Sequence, residues 1–151
     1  MRITFTFLTF ILLAGCAGNS QPAPSVSGAT KCNVRFLNLA ISEEELLKEI
    51  TAPGEVLALA SFADKQISNA STWCHMAKVA DRSATLNVSF YAGSEYKGTL
   101  GLGNYEKEKF FLKFHAIGVS KVICITNDEK EEFLRLIGVS PEEFKRIFPR
   151  E

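Results

Sequence analysis

The stretch "NYEKEKFFLKFHAIG", residues 104–118, decides how the rest of this chain is read. Two periodicities compete in it. Phe110, Phe111, Phe114 and Ile117 recur at the spacing of one helix face, and Gly118 stands where a helix would end. Phe110, Leu112 and Phe114 alternate equally well along one face of a strand. The helix is the reading carried forward. An aromatic-faced helix, a glycine and then the apolar run "VSKVICIT", residues 119–126, is how a chain passes from a helix back into a sheet.

Upstream, "ATLNVSFYA", residues 84–92, alternates cleanly, with Leu86, Val88 and Phe90 on one face and Thr85, Asn87 and Ser89 on the other. Gly93-Ser94 turns this strand into an antiparallel partner near residues 95–102. Further back, "NVRFLNLAI", residues 33–41, predicts a strand that is apolar on both faces. Ser42 with Glu45 forms a capping box for a helix carrying Leu46, Leu47 and Ile50, which Pro53-Gly54 ends. "EVLALASF", residues 55–62, predicts a second buried strand, and Ile67, Ala70, Cys74 and Ala77 predict a helix over residues 64–80. Downstream, Asp128 with Glu131 caps a helix bearing Phe133, Leu136 and Ile137. Ser140-Pro141 with Glu143 caps a last helix bearing Phe144, Ile147 and Phe148. Strands interleaved with helices predict one small α/β sandwich, with α+β as the alternative. Its sheet is expected to be mixed, with about five strands, an antiparallel hairpin at the edge and helices on the faces.

The chain begins differently from this domain. Apart from Arg2, the residues before Cys16 carry no charge, and the apolar run from Ile3 to Ala14 is too short for the ~20 residues that span a bilayer. A positive start, a short apolar stretch and small residues at its end describe a secretory signal peptide. Its end, Leu13-Ala14-Gly15-Cys16 within "FTFLTFILLAGCAGNS", residues 5–20, resembles the lipobox of bacterial lipoproteins. The resemblance implies that Cys16 is diacylated on sulfur, that the leader (residues 1–15) is cut before it, and that the new N-terminus is acylated. Two or more acyl chains anchor a protein stably. Ala17 rather than Asp follows the cysteine, which by the enterobacterial sorting pattern implies an outer-membrane anchor facing the periplasm. Residues 16–31, rich in Ser, Pro, Ala and Gly, are expected to be a flexible tether, and residues 32–151 the domain.

Composition narrows the function further. Lys and Arg number 17 and Asp and Glu number 17, so nothing suggests the basic patch that a nucleic-acid partner would want. Four cysteines stand in the chain. With Cys16 lipidated, an oxidising periplasm favours one disulfide among Cys32, Cys74 and Cys124. The expected pair is Cys32 with Cys74, because Cys124 lies in an apolar run that reads as an interior strand, where a thiol behaves as a small hydrophobe.

Four groupings are candidate sites. Cys74, His75 and Met76, with His115 from elsewhere, are ligand types that copper(I) accepts, but neighbours on a helix point about 100° apart and do not converge on one ion. A strand followed by a cysteine-bearing helix has a thioredoxin-like order, yet there is no Cys-x-x-Cys. A nucleophilic pair of Cys74 or Cys124 with His115 lacks any local signature. "GTLGLGN", residues 98–104, has neither the dinucleotide glycine order nor a phosphate-loop lysine, and reads as a bent edge strand whose rim could face a ligand. The alternating charges of residues 106–109 and 128–132 read as solvated helix faces. No cofactor is called for. The expectation is a membrane-anchored, non-enzymatic module that binds an envelope protein partner. The alternative is a metal or small-ligand handler using Cys74, His75, Met76 and His115.

Overall fold

Lys109–Ala116 is a strand, not a helix, in the computed structural model of the chain, which describes residues 24–38, 43–69, 85–106 and 108–148. The neighbouring strand decides the matter. Seen as a helix, Phe110, Phe111 and Phe114 would share one apolar face. As a strand, Phe110, Leu112 and Phe114 enter the main core while Phe111 joins Val122 and Tyr105 in a second cluster. Both sides have room because glycines lie opposite. A Cβ on Gly103 would come within 2.4 Å of the Phe111 ring, and one on Gly98 within 2.8 Å of the Phe114 ring.

Among the described residues the strands are β1 (Lys31–Asn38), β2 (Glu43–Ile50), β3 (Leu86–Ala92), β4 (Glu95–Glu106), β5 (Lys109–Ala116) and β6 (Val119–Ile125). The helices are α1 (Pro53–Ser68), α2 (Asn127–Ile137) and α3 (Pro141–Ile147). The small domain of sheet and helices is the predicted class. Its sheet has six strands in the order β2-β1-β3-β4-β5-β6, and every neighbouring pair is antiparallel rather than mixed. An antiparallel meander from β3 to β6 needs only short turns, so the crossover helix expected over residues 104–118 is replaced by hairpins.

Two other elements exchange identity. The helix expected from Ser42 is β2, whose Ile50 alone is fully buried while Leu46 is half exposed. It covers the free edge of β1, with Lys31–Glu49 and Arg35–Glu44 ion pairs across the two strands. The strand expected at residues 55–62 lies inside α1. Pro53, taken as a stop, occupies the first turn, where its fixed φ is compatible and its missing N–H costs nothing. Residues 64–68 continue that helix, and the rest of the helix expected up to residue 80 lies outside the described residues.

Other expectations hold. Leu86, Val88 and Phe90 are all fully buried on one face of β3. Phe133 and Ile137 are buried on α2, as is Ile147 on α3. The α2 cap is Thr126 rather than Asp128: its hydroxyl accepts from the Glu129 N–H, and the Glu129 carboxylate accepts from the Thr126 N–H. The α3 cap is Ser140 with Glu143, as predicted. Core packing joins the helices to one face of the sheet. Phe62 of α1 meets Phe133 of α2 at 5.8 Å, and Phe110 of β5 is flanked by Phe144 and Phe148 at 5.8 and 6.0 Å. Each such buried ring contributes about 1.5–3 kcal/mol of hydrophobic stabilisation.

Candidate functional site

The chain enters the domain earlier than its composition suggests. Val26, placed by its sequence in the tether, is completely buried in the core. Its N–H donates to Asp64 Oδ1 of α1 at 2.8 Å, and the Ser25 hydroxyl donates to Asp64 Oδ2 at 2.8 Å. Gly28, with φ +78°, turns the chain, and Thr30 then fastens it to the β3–β4 turn: its N–H donates to the Tyr91 carbonyl and its Oγ1 accepts from Gly93 N–H. The folded domain therefore includes residues 24–31, which belong to the tether by composition alone.

This entry point forms one pole of the molecule. A concavity of about 320 Å³ there is lined by Pro24 and Ser25, by Glu95, Tyr96 and Lys97 at the start of β4, and by the β5–β6 turn from Ala116 to Val119. Tyr96 stands edge-on to Tyr91 at 5.9 Å, and its hydroxyl bonds Thr99 Oγ1 at 2.9 Å. Lys97 pairs with Glu95 at 2.9 Å. Ile117, at the turn, is 90 % exposed.

A second concavity, about 430 Å³, lies between α2 and α3. Leu134, Val139, Pro141 and Phe144 give it an apolar lining, and Glu131, Arg135 and Lys145 a charged rim.

The residues singled out as chemistry do not assemble among the described ones. His115 is exposed on β5, paired in register with Thr99 on one side and Ser120 on the other. Cys74, His75 and Met76 lie outside the described residues, as does Cys16. Among the described residues no group of three or more His, Cys, Asp or Glu is placed to hold a metal ion. Gly98 and Gly103 serve packing: β4 is an interior strand, not an edge, and Phe114 and Phe111 occupy the space that side chains there would fill.

The cysteines also depart from the expected pairing. Cys32 is a free thiol, fully buried beside Val34 in the core, and burial pushes its pKa up to about 11. A thiol held protonated at neutral pH is a poor nucleophile and a poor ligand. Cys32 is therefore not the cystine partner that was expected of it. Cys124 is disulfide-bonded. It is exposed on the edge strand β6, with its sulfur 3.7 Å from the Tyr105 hydroxyl, so the run "KVICIT" is not interior on both faces.

The chain matches no protein-family model, no curated protein and no solved structure.

The signal missed in the sequence was the packed entry segment. Val26 is a lone aliphatic residue in a Ser, Pro, Gly and Ala stretch, and one apolar residue carries no periodicity. Only Asp64, distant in sequence, explains its place.

Proposed function

We propose that this protein is a lipid-anchored lipoprotein of the bacterial cell envelope, acylated at Cys16 and held at the outer membrane with its domain in the periplasm. The domain binds an envelope protein partner and acts as an accessory module without catalysing a reaction. The observation that carries the reading is Leu13-Ala14-Gly15-Cys16, a protease-accessible small-residue step onto a lipid-accepting sulfur, placed ten residues before the buried Val26. Ten residues span at most about 35 Å, so the anchor would keep the domain close to the bilayer.

Two further features support it. A disulfide at Cys124 suits an oxidising compartment. With Cys16 committed to lipid and Cys32 free, Cys74 is the cysteine left to pair with Cys124. The cleft between α2 and α3 combines an apolar floor with a rim of both charge signs, the composition of a protein contact surface.

Crosslinking the intact lipidated protein in its native envelope tests the role. The expected result is one stoichiometric envelope partner whose recovery falls away with Val139→Asp in the α2–α3 cleft. Stoichiometric copper or zinc in protein purified from the periplasmic face, lost in Cys74→Ala, would instead establish metal handling and overturn this reading.

A further inference from the structure

We propose that the pole at which the chain enters the domain, with Ile117 at its tip, docks on the lipid surface of the bilayer that holds the anchor. This rests on the lipoprotein reading and adds an orientation to it. Three observations meet at that pole.

The first is chain length. Pro24 lines the concavity shared with Ile117 and stands only eight chain steps after Cys16. Fully extended, eight steps of chain reach at most about 28 Å. An anchor at Cys16 thus keeps this pole within that distance of the bilayer.

The second is Ile117 itself. At 90 % exposure it is the most exposed of the large apolar side chains among the described residues, above Leu57 at 68 % and Leu46 at 52 %. It sits in the two-residue turn Ile117-Gly118, where Gly118 supplies φ +76°. With positive φ at its second position only, this turn demands a glycine at 118 and leaves residue 117 open to most residue types, and the β3–β4 turn at the same pole is an ordinary Gly93-Ser94. Nothing in the fold asks for isoleucine at 117; a lipid surface does.

The third is the surround. Tyr91 and Tyr96 stack edge-on beside the turn, Lys31 lies 5.5 Å over the Tyr91 ring, and Lys97 is paired with Glu95. Tyrosine rings with polar tips and long lysine stems suit the headgroup layer, where one end of a side chain is apolar and the other wet. A single isoleucine would hold a free domain on a bilayer only weakly. A short tether raises its effective concentration to the millimolar range, so weak insertion becomes populated.

The test uses the mature acylated protein in liposomes of phosphatidylethanolamine and phosphatidylglycerol, with or without bromine on the acyl chains. Ile117→Trp adds an indole to the native Trp73, and the difference from the wild type isolates its emission; Leu57→Trp on α1 is the control. Both positions are exposed, so neither change disturbs the core. We expect the indole at 117 to shift to the blue and lose most of its emission to brominated lipid, with the indole at 57 unaffected. Quenching at neither position, or equal quenching at both, overturns the proposal. So does an unquenched indole at 117 combined with loss of a protein crosslink in Ile117→Glu, which would make the occupant a protein. Acyl mass is read on the same sample. An unquenched indole with the acyl chains present defeats the docking alone, whereas their absence defeats the lipoprotein reading and the docking together.

Discussion

Gly103 and Phe111 show how one atom decides an element. They face each other in the β4–β5 register, and a methyl group on Gly103 would lie 2.4 Å from the Phe111 ring, which is fully buried. Gly103→Ala should therefore overpack the site and lower stability by about 1–3 kcal/mol, read as a fall in the urea midpoint with an unchanged slope. An unaltered midpoint would mean the ring has space to move. Asp64 is a second residue on which much depends. Asp64→Ala strands the buried Val26 N–H, so we expect a loss of about 1–3 kcal/mol and faster proteolysis around residues 24–30. Cys32 tests the core directly: a thiol reagent should leave it unmodified in the native protein and label it once denaturant opens the domain.

Elements differed in how legible they were, and the difference follows from where their determinants lie. The β3 alternation and the capped helices α2 and α3 are local patterns, and the structure places their apolar faces as the spacing requires. In α1 the helical signal was present, since Val56, Leu59, Ala60, Ala63 and Ile67 are buried at helical spacing. Intervening apolar residues such as the exposed Leu57 hid it, and Pro53-Gly54 read as a stop. For β2 and β5 no local pattern sufficed. The first is set by the bare edge of β1, and the second by glycines on β4. Of the candidate ligands His115 is described, exposed on β5, and Cys74, His75 and Met76 lie outside the described residues, so their grouping rests on sequence adjacency alone. At this scale the α2 cap carries a pH dependence. Partial burial raises the Glu129 pKa, but hydrogen bonds from the Thr126 N–H, the Gln66 amide and the Thr126 hydroxyl, with Lys65 nearby, outweigh it and leave the carboxyl below its ordinary value of 4.5. A group lowered by folding stabilises the native state above its unfolded pKa and loses that contribution as pH falls through the folded one. Stability should thus decline as pH drops below about 4.5, and Glu129→Gln should flatten that decline in thermal melts.

The whole molecule brings its own constraint. The core closes over the entry segment, so if Cys16 carries the proposed lipid, it and the first packed residue are separated by a length of chain too short to let the domain roam. If Cys16 is acylated, peptide mapping under non-reducing conditions should recover Cys74 joined to Cys124, and reduction should lower stability by about 2–4 kcal/mol. The most direct measurement is the intact mass of the mature protein extracted from the envelope, with fragmentation of its N-terminal peptide. The account predicts a chain that begins at Cys16 and carries a diacylglyceryl group on sulfur with a further acyl chain on the amine. A free thiol at that position, or a chain that still carries residues 1–15, would contradict it.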